Sequence, residues 1–220
     1  MTTINDVLHH QEDTTDRIAV TGTITRVEDN AAEVRRGDGA TAWLPITEVP
    51  QGIFPEVGHT APMLLLDADK MRVSLTHPGL IGAIAATVVP ELRDGTVRVM
   101  GTVRLPGVRA KVAVAATAED TDPVSLFVGR RANRVKYLSH ALGGEQVDIV
   151  AWHPDTEQQL RNAFAPAEVE SVTIDGRAAT VAVQPHLMPA AVGRGGLNTS
   201  LAGRLCGLHV NVVREGADAA

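Results

Sequence analysis

The chain has 220 residues and a mass of 23.2 kDa, and its 20 Lys plus Arg against 26 Asp plus Glu give a net charge of −6, which counts against a generic polyanion binder. Apolar residues make up 44% of the sequence against 3% aromatics, so the chain is no disordered polymer and small aliphatic side chains must build its cores. One cysteine, Cys206, excludes an internal disulfide, and the lack of an apolar run near ~18 residues or of a basic start to a signal peptide predicts a cytoplasmic protein with no membrane partner.

Residues 1–15 form an acidic N-terminal segment with a short helix expected around Ile4 to His10. From Arg17 the pattern alternates. Strands are expected over Ile18 to Arg26, Ala32 to Val34 and Ala42 to Leu44, with turns at Glu28-Asp29-Asn30 and Arg36-Gly37-Asp38-Gly39. A Pro- and Gly-containing loop from Val49 to Gly58 leads to two further strands, Ala61 to Leu66 and Met71 to Leu75. Short strands this dense fit a small closed barrel of the OB type over residues 16–77.

After Pro78 the period becomes helical, with Leu80, Ile81, Ile84, Ala85 and Val88 on one face. Strands follow over Val97 to Val103 and Arg109 to Ala115, around a Pro106-Gly107 turn. Helices are expected from Asp122 to Val128 and from Asn133 to Leu142, then a strand from Gln146 to Trp152 and a helix from Asp155 to Phe164. The rest repeats this grammar: strands Val169 to Ile174 and Ala178 to Val183, helices Leu187 to Val192 and Asn198 to Leu205, and a strand Leu208 to Val213. Two units, 78–164 and 165–214, therefore stand in tandem before a tail at 215–220.

The loop between the paired helices is the informative object. In the second unit it reads Gly193-Arg194-Gly195-Gly196, a GxxG loop, and in the first Gly129-Arg130-Arg131-Ala132. Glycines let a sugar–phosphate backbone approach the peptide, and the helix that follows offers free N–H groups to phosphate oxygens. This is the device by which KH domains clamp about four single-stranded nucleotides. Strands placed ahead of the helices suggest the type II KH arrangement. Taken alone the four-residue pattern also reads as a helix C-cap and a turn. Its recurrence at the same point of a repeated unit, with arginine at the x positions, favours RNA.

The charge supports a local contact. Half of the 20 basic residues fall in 91–164, and Arg130, Arg131, Arg134 and Lys136 lie on or just after the first loop. Arg104, Arg109 and Lys111 flank the preceding hairpin and are expected to add to this phosphate-facing cluster. On the barrel, Trp43, Phe54, Arg26, Arg35 and Arg36 are the candidates for a nucleic-acid face, with Trp43 equally suited to a core.

Other residues that could carry chemistry have plainer roles. Cys206 falls on the apolar face of the last helix, His9-His10 lacks a third ligand nearby in sequence, and Asp67 with Asp69 occupies a turn. No Walker loop, nucleophile elbow or HExxH pattern is present. Neither a catalytic centre, a metal site nor a cofactor is expected.

Over about residues 16–214 the sequence resembles the NusA family of bacterial transcription elongation and antitermination factors, as an S1 domain followed by two KH domains. The resemblance rests on the strand Val20-Thr21-Gly22-Thr23-Ile24-Thr25-Arg26-Val27-Glu28 and the junction Leu75-Thr76-His77-Pro78-Gly79-Leu80. It continues through Val89-Pro90-Glu91, Asp94-Gly95-Thr96-Val97, Pro106-Gly107 with Arg109 and Lys111, and Asp122-Pro123-Val124. Leu142-Gly143-Gly144-Glu145, Asp148-Ile149-Val150, Pro166-Ala167 and Val192-Gly193-Arg194-Gly195-Gly196 with Asn198 complete it.

The resemblance implies single-stranded RNA as ligand, bound through Gly129 to Ala132, Arg134, Lys136, Gly193 to Gly196 and Asn198. It further implies RNA polymerase or other transcription factors as partners. Two departures shape these expectations. About 15 residues precede the barrel where the family has a polymerase-docking domain, so RNA binding is expected more firmly than polymerase-directed pausing. Ala132 stands where the family's first KH loop has glycine. Two rivals remain open at this point: an RNA-binding module of ribosome assembly or translation, and a protein-interaction scaffold with reduced RNA binding.

Overall fold

The computed structural model describes residues 18–67 and 71–216, so the helix expected near residues 4–10, the His9-His10 pair and Asp69 lie outside the described residues. Strands β1 (Ala19–Val27), β2 (Ala31–Arg36), β3 (Thr41–Pro45), β4 (Thr60–Asp67) and β5 (Arg72–Ser74) close into a barrel in the order β1-β2-β3-β5-β4. The alternation that predicted them also sets their register. Ala32 and Val34 of β2, and Ala42 and Leu44 of β3, turn inward onto Ile24, Met63 and Val73, all of them buried. A slip of one residue would turn every one of these side chains to solvent.

Helix α1 (Gly79–Val88) starts directly after Pro78 and buries Leu80, Ile81, Ile84 and Ala85. These residues share one core with Leu64 of the barrel and with Val112, Val114, Phe127, Leu138 and Val147 of the unit that follows. The barrel is therefore packed onto that unit rather than tethered to it. A four-residue helix, α2 (Pro90–Arg93), has proline at its first turn and was not evident from periodicity, which needs more than one turn to show.

Strands β6 (Val97–Leu105) and β7 (Arg109–Ala116) pair antiparallel. Helices α3 (Pro123–Val128) and α4 (Asn133–Ala141) cross over to β8 (Gln146–Ala151), which runs parallel to β7. The second unit repeats this plan. Helix α5 (Thr156–Phe164) leads to the antiparallel pair β9 (Ser171–Asp175) and β10 (Ala178–Val183). Helices α6 (Met188–Val192) and α7 (Leu197–Cys206) then return the chain to β11 (His209–Arg214), parallel to β10. Two antiparallel strands, two helices and a parallel return strand, with a helix ahead, make each unit a type II KH domain.

Asp122 and Asp155 cap α3 and α5. The Asp122 carboxylate accepts from the Val124 and Ser125 backbone N–H groups at 2.9 and 3.2 Å, and its bonds with Ser125 hold its pKa below the usual carboxylate value. Helix α5 fills the second core: its Leu160, Ala163 and Phe164 pack with Val181, Val183, Ala191 and Ala202. Helix α7 also packs across β6 and β7 of the first unit, and Arg204 on it donates to the Arg104 carbonyl at 3.2 Å.

Candidate nucleic-acid interface

The two loops have nearly the same backbone. Gly129 (φ 75°, ψ 172°) matches Gly193 (φ 73°, ψ 170°), and Arg131 (φ 54°, ψ 30°) matches Gly195 (φ 60°, ψ 25°). Ala132 (φ 57°, ψ 28°) matches Gly196 (φ 76°, ψ 9°). The Ala132 N–H donates to the Gly129 carbonyl at 3.0 Å, as the Gly196 N–H does to that of Gly193 at 3.2 Å. Arginine and alanine thus occupy left-handed positions in the first loop that glycine occupies in the second.

The glycines do different work. A Cβ on Gly129 would lie 2.6 Å from Asn133 Oδ1 and 2.7 Å from Arg134 Cγ, and one on Gly193 would lie 2.8 Å from Asn198 Cβ. The opening glycine lets the following helix close down on the loop. Over Gly195 and Gly196 a Cβ would meet nothing within 4 Å, so this stretch of backbone is open to a ligand from outside.

Arg134 and Asn198, each five residues beyond the opening glycine, share a structural task. Asn198 is 2% exposed and donates through Nδ2 to the Ala191 and Ala190 carbonyls at 3.0 and 3.4 Å. Arg134 donates to the Leu126 carbonyl and forms an ion pair with Glu91 of α2, with nitrogen–oxygen distances of 2.8 and 3.2 Å. Both side chains close the end of the helix before the loop against the helix after it. Arg130, Arg131, Lys136 and Arg194 are the predicted basic residues that stand exposed at or beside the loops.

The hairpin cluster is a correction. Arg104, Arg109 and Lys111 do not add to a phosphate-facing surface. Arg104 is 4% exposed, with Nε and Nη2 on Glu145 at 3.0 and 2.6 Å and Nη1 on the carbonyls of Leu75 and His77 at 3.1 and 3.2 Å. Lys111 is fully buried with Nζ 3.2 Å from Asp148 Oδ2, which Arg109 also holds at 2.7 Å. Burial pulls the Lys111 pKa down, and the Asp148 charge opposes that pull. Cys206 is half-buried, and burial pushes its thiol up to about 11, as suits a packing residue rather than a nucleophile.

On the barrel, Trp43 lies half-buried on the outward row of β3, between the inward Ala42 and Leu44 and opposite Glu33 and Arg72. Arg26 pairs with Glu28 at 2.5 Å and Arg36 with Asp38 at 2.5 Å, whereas Arg35 is exposed without an ion pair among the described residues. Phe54 is 82% exposed on the loop that follows. Among the described residues no group of three His, Cys, Asp or Glu side chains is placed to hold a metal ion, and no helix is long and apolar enough to cross a membrane.

Comparison with known proteins points the same way. Residues 75–152 match the NusA-like first KH domain, and residues 156–220 match the NusA-like second KH domain. The transcription termination/antitermination protein NusA of Thermus thermophilus is 33% identical over 204 residues, covering 87% of this chain and 52% of that protein. Its Bacillus subtilis counterpart is 36% identical over 148 residues, covering 66% of this chain and 40% of that protein. The chain thus spans about half or less of the length of these curated relatives. Among solved structures, one described as "Crystal structure of APE1850" is similar at 24% identity and a TM-score of 0.44, over 59% of this chain and 96% of that one.

Proposed function

The chain belongs among the NusA-like proteins, carrying the family's first and second KH domains in tandem, and on that premise we propose that it is a non-catalytic, cytoplasmic protein that binds single-stranded RNA in the control of transcription elongation, termination or antitermination. The observation that carries the reading is the second loop. Its Gly195 and Gly196 leave the backbone open, Arg194 stands exposed beside it, and the ten-residue helix α7 begins directly behind it.

RNA polymerase or other transcription factors are the protein partners of this reading. The contact residues are Gly129, Arg130, Arg131, Ala132 and Lys136 in the first unit and Gly193, Arg194, Gly195 and Gly196 in the second. Arg134 and Asn198 support them by holding each helix pair around its loop. We assign residues 16–77 to the barrel domain. We place the divide between the KH units ahead of Thr156 rather than after residue 164, because α5 fills the second core.

Replacing Arg194 and Gly195 together by aspartate tests the reading. The carboxylates repel phosphate where no packing depends on them, so affinity for single-stranded RNA should fall at least about tenfold with an unchanged circular dichroism spectrum. An unchanged dissociation constant in the folded variant would refute it.

A further inference from the structure

A concavity lies where the barrel meets the first KH unit. It is a cleft of about 400 Å³, lined on the barrel side by Thr21 of β1, His59 just ahead of β4 and Pro62 on it, and on the other side by Ile84 of α1 and by Tyr137 and His140 of α4. This volume sits at the small end of ligand sites, which run from roughly 300 to 1,000 Å³.

Tyr137 is what makes the cleft informative. It is the sole tyrosine of the chain, and Phe127 and Phe164 are consumed by the two cores. Tyr137 is instead 49% exposed, with its ring at a cleft rather than in a core. It also follows directly from the first loop. Asn133 and Tyr137 are four apart on α4, as are Lys136 and His140, so an exposed stripe of polar, basic and aromatic side chains runs along this helix from the loop into the cleft. At ~1.5 Å of rise per residue, Tyr137 stands only about 6 Å along the axis from the helix start.

The geometry points to a nucleobase site: the cleft takes one base of the RNA strand as it leaves the first loop along α4, stacked on Tyr137. The inference rests on the RNA-binding reading above and adds a subsite to it. Pro62 and Ile84 supply an apolar wall for the face of the base. The imidazoles of His59 and His140 and the hydroxyl of Thr21 supply hydrogen-bonding groups for its edge. Stacking tolerates any base, so this subsite adds affinity rather than strict sequence choice.

The test uses the full chain with two synthetic RNAs, of four and eight nucleotides, the longer carrying 2-aminopurine in its outer half. Tyr137→Ala should lower affinity for the longer RNA by about five- to a hundredfold and abolish quenching of the probe, while binding of the four-nucleotide RNA barely changes. Tyr137→Phe should retain both signals, and His140→Ala at an exposed position should weaken the longer RNA alone. Equal affinity of Tyr137→Ala and the parent chain for the longer RNA overturns the site. Unchanged RNA binding alongside loss of a protein partner overturns it too, assigning the cleft to that partner. If the parent chain binds neither RNA, the RNA reading itself has failed and the subsite falls with it.

Discussion

Ala132 holds a φ of 57° in a position that its counterpart, Gly196, fills without a side chain. A left-handed alanine costs roughly 1–2 kcal/mol, and glycine loses about 0.5–1 kcal/mol more than alanine to chain entropy on folding. The first effect is the larger, so Ala132→Gly should raise the unfolding free energy by about 0.5–1 kcal/mol in a urea titration and leave RNA affinity within about twofold. Gly193→Ala should act in the opposite sense and more strongly. Its Cβ would arrive 2.8 Å from Asn198 Cβ and 2.9 Å from the Asn198 nitrogen, forcing α7 off the loop at a cost of about 2 kcal/mol or more. The same titration separates a glycine needed for packing from an alanine tolerated under strain.

Strands β7 and β8 carry a buried ammonium between them. Removing its counter-charge with Asp148→Ala should cost about 3–5 kcal/mol, whereas Lys111→Met, which leaves Asp148 paired with Arg109, should be neutral or stabilising. The sign of the pH effect follows from the lowered Lys111 pKa. Just below 10.5 the folded chain has already released a proton that the unfolded chain still binds, so this residue makes stability rise with pH in that window. Urea midpoints at pH 8 and pH 10 should show that contribution in the parent chain and its loss in Lys111→Met. The elements, apart from the four-residue α2, were legible in the sequence. Alternation and Pro78 marked the strands and the entry to α1, and both loops stood out by repetition. What the basic residues face was not legible. Arg104 meets Glu145 41 residues away, Lys111 meets Asp148 37 away and Arg134 meets Glu91 43 away, so local patterns show a positive cluster where the fold makes internal pairs. The shared clamp of Arg134 and Asn198 did leave a trace, in their equal distance from Gly129 and Gly193.

Across the whole molecule, a net charge of −6 means that, on the proposed reading, RNA would be held by a few exposed cations against an unfavourable background. Each phosphate contact to a single strand contributes roughly 0.7 to the slope of log affinity against log salt, so Arg130→Ala with Arg131→Ala should flatten that slope by about 1.4. An unaltered slope in a salt titration of the double variant would mean that neither arginine meets phosphate. Arg104 has a wider reach than either. Its guanidinium holds the Leu75 and His77 carbonyls at the exit of the barrel, and its own carbonyl receives Arg204 from the second KH unit. One residue thereby pins all three units, and the two loops are carried on a stiff frame rather than a string. On the proposed reading, an RNA caught by one loop would present its next nucleotides to the other at an effective concentration set by that frame, high for strands that span the interval and negligible for those that cannot. Selectivity can then come from spacing, with neither loop reading a base.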